Sequence, residues 1–487
     1  MGVASLFFYA WWNPAYLIVI FLSICANFLI ARLIQANPVQ ARAILIAGVA
    51  ANVVVLCYFK YVAFLSNQYY ALIGSEIRLE QGEIPLGISF FTFVQIAYLV
   101  DAFRRETAKY TFLEYTAFVT YFPHLIAGPI IHHKDVIPLF REPGTYRFDW
   151  SNVSVGVSLF AIGLFKKTMI ADRLAPTADA VFNAGIPLTF FESWIGTLAY
   201  TLQIYFDFSA YSDMALGLSM LVGIRLPVNF YSPYQATNII DFWRRWHISL
   251  SMFLRDYVYI PLGGNRHGKI RRYVNLMLTM LIGGIWHGAG WTFLIWGGLH
   301  GAYLVVNHGF RSVKERFTER LPFQIPELLS RGVSVAITFI AVAVGWVFFR
   351  AKDFDAAYMM CEGLLGLNGV SVPYGLAKIL PDALTGGLRW GGFFPYIAEL
   401  RSGGIFADPI GELFRGSAFV VLLLPFVFFA PNAVKLLAEY RPGLGGLGES
   451  SWLRWRPNAV WAVIVAVLFL IGLVNLNQQS VFLYFQF

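Results

Sequence analysis

Two windows of this chain place side chains that can move a proton among strongly hydrophobic neighbours. Gly283 to Gly290 reads GGIWHGAG and sets His287 beside Trp286 among glycines. A histidine at membrane depth is a functional candidate by default, and a neutral imidazole can take up a proton near pH 7. Glycine here lets backbones approach closely, or lets a helix break where it lines a cavity. The second window, residues 237–258, reads TNIIDFWRRWHISLSMFLRDYV. Trp243, Trp246, Leu250, Phe253 and Tyr257 recur at helical spacing and predict a helix with one apolar stripe. Asp241, Arg244, Arg245, His247, Arg255 and Asp256 lie in the same window. Each charge at the bilayer centre costs about 2.5–3.5 kcal/mol, so this helix does not face lipid. It must lie in the interface or line a wet cavity. Interfacial anchoring explains the stripe but gives no reason for His247 beside two tryptophans.

Other constellations carry less. His124, His132 and His133 cluster near Pro129 and Lys134 and read as a loop rim rather than a metal site. GGNRHGKI, Gly263 to Ile270, approaches a P-loop, yet Ile270 stands where Ser or Thr would hold Mg²⁺. Arg266, Lys269, Arg271 and Arg272 could meet the phosphates of a cytosolic cofactor, or could simply set orientation. No G-x-S-x-G elbow and no H-E-x-x-H pair occurs. Cys25, Cys57 and Cys361 are far apart in apolar surroundings, without a C-x-x-C pair, and read as small buried hydrophobes. No metal is expected.

The elements that position these residues are membrane helices. The chain has 487 residues, 58% hydrophobic and 13% charged, with a mean hydropathy of +0.61, where a soluble chain carries about 25% charge. The net charge of +8 is spread over short loops, which is the excess of Lys and Arg on the cytoplasmic side and not a nucleic-acid surface. A crossing needs about 20 mostly apolar residues. Candidates lie near 14–33, 43–60, 84–103, 111–131, 152–171, 190–207, 274–288, 291–309, 332–349, 416–434 and 458–475, with 210–224 weaker. The expectation is an all-α polytopic protein forming one domain over 1–487, with about ten to twelve crossings. The Lys/Arg rule puts the loops with Arg32 and Arg42, with Arg104, Arg105 and Lys109, with Arg311, Lys314, Arg316 and Arg320, and with Arg441, Arg454 and Arg456 in the cytoplasm. Both termini then come out external. The first basic residue is Arg32, so no cleavable signal peptide is expected.

Four long stretches carry a resemblance: YFPHLIAGPI from Tyr121, IYFDFSAYSDMALGL from Ile204, DFWRRWHISLSMFLRDYVYIPLGGNR from Asp241, and GGIWHGAGWTFLIWGGLHG from Gly283. They resemble the membrane-bound O-acyltransferases, in particular the bacterial branch of the alginate O-acetyltransferase membrane subunit. The terminal FLYFQF, Phe482 to Phe487, matches as well. Members usually begin with a further apolar helix upstream of the segment matching LFFYAWW, which implies that one crossing is missing here. The resemblance implies a central tunnel or funnel in a bacterial inner membrane protein. It implies acetyl-CoA as a cytosolic donor, and passage of the acetyl group to an extracytoplasmic partner of the SGNH type that esterifies an exported polysaccharide. It further implies His287 as the base, His247 as a second site residue that orients the acceptor or stabilises developing charge, and Arg266, Lys269, Arg271 and Arg272 near the donor. His300 reads as a satisfied structural histidine. Tyr484, in the external tail, is either an interfacial anchor or an acyl carrier.

Two alternatives stay open. One is transfer of another small acyl group, such as D-alanyl from a carrier protein. The other is a non-enzymatic transporter or scaffold for polymer export. Transporters show internal repeats, and none is visible in this sequence.

Overall fold

A computed structural model of the chain describes residues 2–107, 109–125, 128–317, 326–370, 409–445, 451–476 and 483. The helices begin with α1 (Gly2–Trp12), α2 (Pro14–Ala36), α3 (Ala41–Leu72) and α4 (Ile88–Phe103). Three short ones follow: α5 (Phe112–Thr120), α6 (Phe122–Leu125) and α7 (His133–Arg141). Then α8 (Trp150–Phe165) runs through a π-helical turn (Lys166–Ala171) into α9 (Asp172–Phe182), and α10 spans Phe190–Leu221. Short α11 (Ile239–Trp243) and α12 (Ile248–Leu254) lead to a second π turn (Arg255–Tyr259), α13 (Gly268–His287) and α14 (Trp291–Phe317). The chain closes with α15 (Glu327–Arg350), α16 (Phe354–Leu364), α17 (Pro409–Phe429), α18 (Ala433–Leu436) and α19 (Ala459–Val474). Among the described residues the β content is one isolated bridge, Pro227 to Leu444.

By length and composition four segments can cross a bilayer: Pro14–Ala36, Ala41–Leu72, Trp150–Phe182 and Glu327–Arg350. Shorter apolar helices lie at Ile88–Phe103, Gly416–Phe429 and Ala459–Val474. Val54, Tyr58 and Leu65 on α3 and Val460, Val463 and Leu470 on α19 are exposed, as lipid-facing residues must be. In lipid the drive to pack helices is close contact and polar glue. Gly156 and Gly217 supply the contact between α8 and α10: a Cβ on either would stand 2.7 or 2.6 Å from the other's carbonyl oxygen. Asn27 and Asn52 supply the glue between α2 and α3, exchanging amide hydrogen bonds of 3.1 and 2.6 Å.

Three sequence expectations change. Residues 190–207 and 210–224 are one helix, α10. The carboxylates that made the stretch look interrupted are paired inside the protein, Asp207 with Lys167 at 2.7 Å and Asp213 with Lys166 at 2.8 Å. Residues 111–131 do not form one crossing. The helix stops at Thr120, α6 is a single turn, and Gly128 folds back onto α6 so closely that a Cβ would stand 2.4 Å from the Cα of His124. Residues 237–258 are not one helix either. The chain breaks between α11 and α12, where His247 takes a left-handed backbone, φ 43° and ψ 55°. The aromatic stripe still points inward across the break, with Trp243, Trp246, Leu250 and Phe253 all buried. Arg244 stays exposed and Arg245 pairs with Asp241 at 2.8 Å. The segment is therefore packed within the protein and does not lie flat on an interface.

Candidate active site

His287 is the last residue of α13. The chain leaves the helix through an extended Gly288, where a Cβ would stand 2.1 Å from the Phe293 ring. The imidazole is buried and enclosed by Trp286, Trp296 and Phe349, with ring centroids at 4.9, 5.0 and 5.1 Å.

His247 reaches the same place from the α11–α12 break. Its ring is edge-on to Phe208 at 4.8 Å and to Trp286 at 6.3 Å. Trp286 is thus the shared wall of the two histidines. Backbone strain at a bulky residue of positive φ costs about 1–3 kcal/mol and persists where surroundings enforce it. Asn229 does the enforcing. Its Oδ1 accepts from Ser249 N at 3.2 Å and Ser249 Oγ at 3.0 Å, and lies 3.2 Å from His247 Nδ1. A backbone N–H can only donate, so the Asn229 atom is the oxygen. His247 Nδ1 therefore carries a proton, and in the neutral ring the lone pair sits on Nε2.

His300, read as a satisfied structural histidine, has neither ring nitrogen hydrogen-bonded among the described residues. It is fully buried against Trp296 at 4.8 Å and Trp243 at 5.2 Å. The indole N–H groups of Trp243, Trp286 and Trp296 are also buried without partners among the described residues. Buried polar groups are nearly always satisfied. Their concentration here fits a chamber that receives a polar group.

The His124, His132 and His133 cluster is not a loop rim. His124 and His133 are buried. His133 Nε2 lies 3.0 Å from Asp101 Oδ2, and Tyr110 OH lies 3.1 Å from its Nδ1. Tyr257 OH donates to the same carboxylate at 3.0 Å. Beside this network is a cavity of about 570 Å³ lined by Asp101, Arg104, His132, Lys134, Arg255 and Tyr257, among others. A file of stacked rings runs from Tyr257 through Phe253 and Phe93 to Trp286, with centroid steps of 4.9, 4.1 and 4.8 Å. It runs in unbroken ring contact from Tyr257, which lines this cavity, to Trp286 beside the two histidines.

Arg266, Lys269 and Arg271 are exposed on the turn before α13 and on its first residues. Arg272 is half-buried over the Tyr273 ring at 5.0 Å. Arg266 is on the turn that follows the π helix lining the cavity, and Lys269, Arg271 and Arg272 are on the first residues of α13, at the opposite end of that helix from His287. Tyr484 lies outside the described residues. Its neighbour Leu483 is buried, and its N–H donates to Asp207 Oδ2 at 3.0 Å. Among the described residues no group of three or more His, Cys, Asp or Glu side chains could hold a metal ion.

Sequence reasoning missed Lys60. Its ammonium donates to the carbonyl oxygens of Trp286 and His287, both at 2.7 Å. The signal was available: the apolar run continues past Lys60 through YVAFLSNQYYALI, which places it well inside a helix.

Comparison with known proteins agrees with this architecture. The membrane-bound O-acyltransferase family matches residues 43–349. A peptidoglycan O-acetyltransferase of Helicobacter pylori is 43% identical over 76% of this chain and 74% of its own length. A probable alginate O-acetylase of Pseudomonas aeruginosa is 36% identical over 100% of this chain and 94% of its own. A teichoic acid D-alanyltransferase of Bacillus subtilis is 27% identical over 55% of this chain and 69% of its own. The chain belongs to the membrane-bound O-acyltransferase family, in the branch of the alginate O-acetylases, and is a multi-pass membrane acyltransferase.

Proposed function

We propose that the protein takes an acetyl group from cytosolic acetyl-CoA and passes it across the bacterial inner membrane for O-acetylation of an exported or cell-envelope polysaccharide. The observation that carries the proposal is two buried histidines on one tryptophan wall, with His300 and the indole N–H groups of Trp243, Trp286 and Trp296 lacking hydrogen-bond partners among the described residues. The relatives named as O-acetylating enzymes support acetyl as the group. They match at 36–43% identity, whereas those named as D-alanyltransferases match at 27–28%. D-alanyl transfer from a carrier protein remains the competing reading.

In this reading His287 is the base. A hydroxyl attacks the thioester carbonyl, the C–S bond breaks, and the proton taken by the imidazole is returned to the departing thiolate. General acid–base help of this kind is worth about 10²–10⁴-fold. His247, held in one orientation by Asn229, orients the acceptor or stabilises the developing charge. The acceptor is the Tyr484 hydroxyl. Its acetyl ester has a phenolate leaving group, which favours onward transfer to an extracytoplasmic SGNH-type partner and then to the polymer. The burial of Leu483 and its hydrogen bond to α10 support a carrier over a lipid anchor, because residue 483 itself is held inside the protein. Donor phosphates meet Arg266, Lys269, Arg271 and Arg272, and the acyl end must reach the Trp286 wall shared by the two histidines.

The test is the acetyl content of each envelope polymer in a deletion strain carrying either the native gene or His287→Ala. One polymer should lose its acetyl groups in the deletion and regain them only with the native gene. Unchanged acetylation of every polymer refutes the proposal, and a loss of ester-linked D-alanine instead selects the competing reading.

A further inference from the structure

Lys60 sits well inside α3, 4% exposed. A lysine at this depth costs about 2.5–3.5 kcal/mol to place. Its hydrogen-bond partners among the described residues are two main-chain oxygens, those of Trp286 and His287. The next residue, Tyr61, donates its hydroxyl to the carbonyl of Ile285. Consecutive residues of α3 thus satisfy the last three carbonyls of α13. The final carbonyls of a helix have no partners within it and carry its negative dipole end, so a cation there is favourable. The ammonium also lies 5.9 Å from the Trp286 ring, the wall shared by His247 and His287.

Neutral devices can cap a helix end, and the chain could have used one. It uses a buried lysine, and at the helix end that finishes on His287. Resting on the assignment of His287 as the base, we infer that Lys60 is a positioning residue for acyl transfer. Its ammonium fixes the last turn of α13, and so the placement of the His287 imidazole against the Trp286 wall. Displacing a reacting group by about 1 Å can cost on the order of 100-fold in rate.

The experiment compares purified, membrane-reconstituted Lys60→Met, Lys60→Gln and Lys60→Arg with the native protein and His287→Ala, measuring release of CoA from acetyl-CoA per folded molecule. Lys60→Met removes charge and donors, Lys60→Gln keeps neutral donors, and Lys60→Arg keeps both. The expected result is a fall of about 10- to 100-fold in kcat for Lys60→Met, donor KM within about twofold of native, and recovery of most of the loss by Lys60→Arg. Should Lys60→Met not accumulate, Lys60→Gln carries the same kcat test. Native kcat in Lys60→Met or Lys60→Gln overturns the inference. So does a loss confined to protein abundance, or one that Lys60→Arg recovers no better than Lys60→Gln. The control separates the two failures: an active His287→Ala refutes the base assignment beneath, whereas an inactive His287→Ala beside a fully active Lys60→Met refutes the role of Lys60 alone.

Discussion

The Asp207 carboxylate accepts a 3.0 Å hydrogen bond from the Leu483 N–H, and the next residue on α10, Phe208, packs its ring against His247. One turn of α10 therefore touches Leu483 through Asp207 and His247 through Phe208. Lys167 bridges Asp207 and Asp172, at 2.7 Å to each, and so places a cation beside the carboxylate that accepts from Leu483. A hydrogen bond to a charged group contributes about 1.5–3 kcal/mol, or roughly 10- to 100-fold in occupancy of the docked tail. Leu483→Pro removes that single donor. Polymer acetylation in cells should fall by about that factor, and Tyr484→Phe should abolish it, both at native membrane abundance. Full acetylation by Tyr484→Phe ends the carrier reading and leaves Asp207 as a structural clamp.

His287→Ala should reduce CoA release by about 10²–10⁴-fold, the range of general acid–base help, while the protein still inserts. Its imidazole packs on the rings of Trp286, Trp296 and Phe349, and its helix end is capped by Lys60 through the main chain, so the cap survives truncation of the side chain. Turnover within a few-fold of native in this variant excludes His287 as the base.

The state of His247 depends on Asn229. Asn229→Ala removes the oxygen that accepts from His247 Nδ1 and from Ser249. It should lower kcat by on the order of tenfold, less than His247→Ala, since the imidazole remains but is no longer oriented. If His247→Ala changes only abundance, with native activity per molecule, the left-handed turn at 247 serves packing alone.

Much of this arrangement was legible before any coordinates. Hydropathy located α2, α4 and α19 to within a few residues and the C-terminal ends of α13 and α15, and the GGIWHGAG glycines pointed to a close backbone approach or a helix break. The failures share one cause: polar groups whose partners lie far away in sequence. Asp207 and Asp213 split α10 in a hydropathy reading, because their lysine partners come some forty residues earlier. Lys60 looked like the end of a span because the carbonyls it caps are 226 and 227 residues distant. His133 looked like part of a loop because Asp101, which buries it, belongs to α4. Periodicity also cannot register one residue at positive φ, so the break at His247 was invisible in an otherwise regular stripe.

The contact between α13 and α14 gives a stability test. A Cβ at Gly284 would stand 2.4 Å from the carbonyl oxygen of Phe293, whereas one at Gly298 meets only Leu281 at 3.7 Å. Gly284→Ala must push two backbones apart and should destabilise by about 1–3 kcal/mol, the usual cost of overpacking. Gly298→Ala should stay within about 0.5 kcal/mol of native. Thermal melts of the detergent-solubilised proteins read both, and equal melts would show that the two helices can separate without cost.

The final prediction concerns where the donor is recognised. Arg266, Lys269 and Arg271 are exposed on the turn before α13 and its first residues, free of the constraints of the core, and charge reversal there leaves the packed helices intact. A donor with several phosphates gains a charge-assisted hydrogen bond from each well-placed Lys or Arg. Reversing Arg266, Lys269 and Arg271 together should raise donor KM by about tenfold or more at low salt, with kcat nearly unchanged, because ground-state and transition-state binding are lost equally. The defect should shrink as ionic strength rises, since exposed charges are screened within about 10 Å at 0.1 M salt. Arg104 and Arg255 line the cavity that meets the aromatic file, so they offer the alternative cradle. If the triple reversal leaves KM at the native value while Arg104→Glu raises it, the phosphates lie at the cavity and the residues before α13 only set orientation. A kcat defect at unchanged KM in the triple variant would instead place these charges in the coupling of α13 to His287.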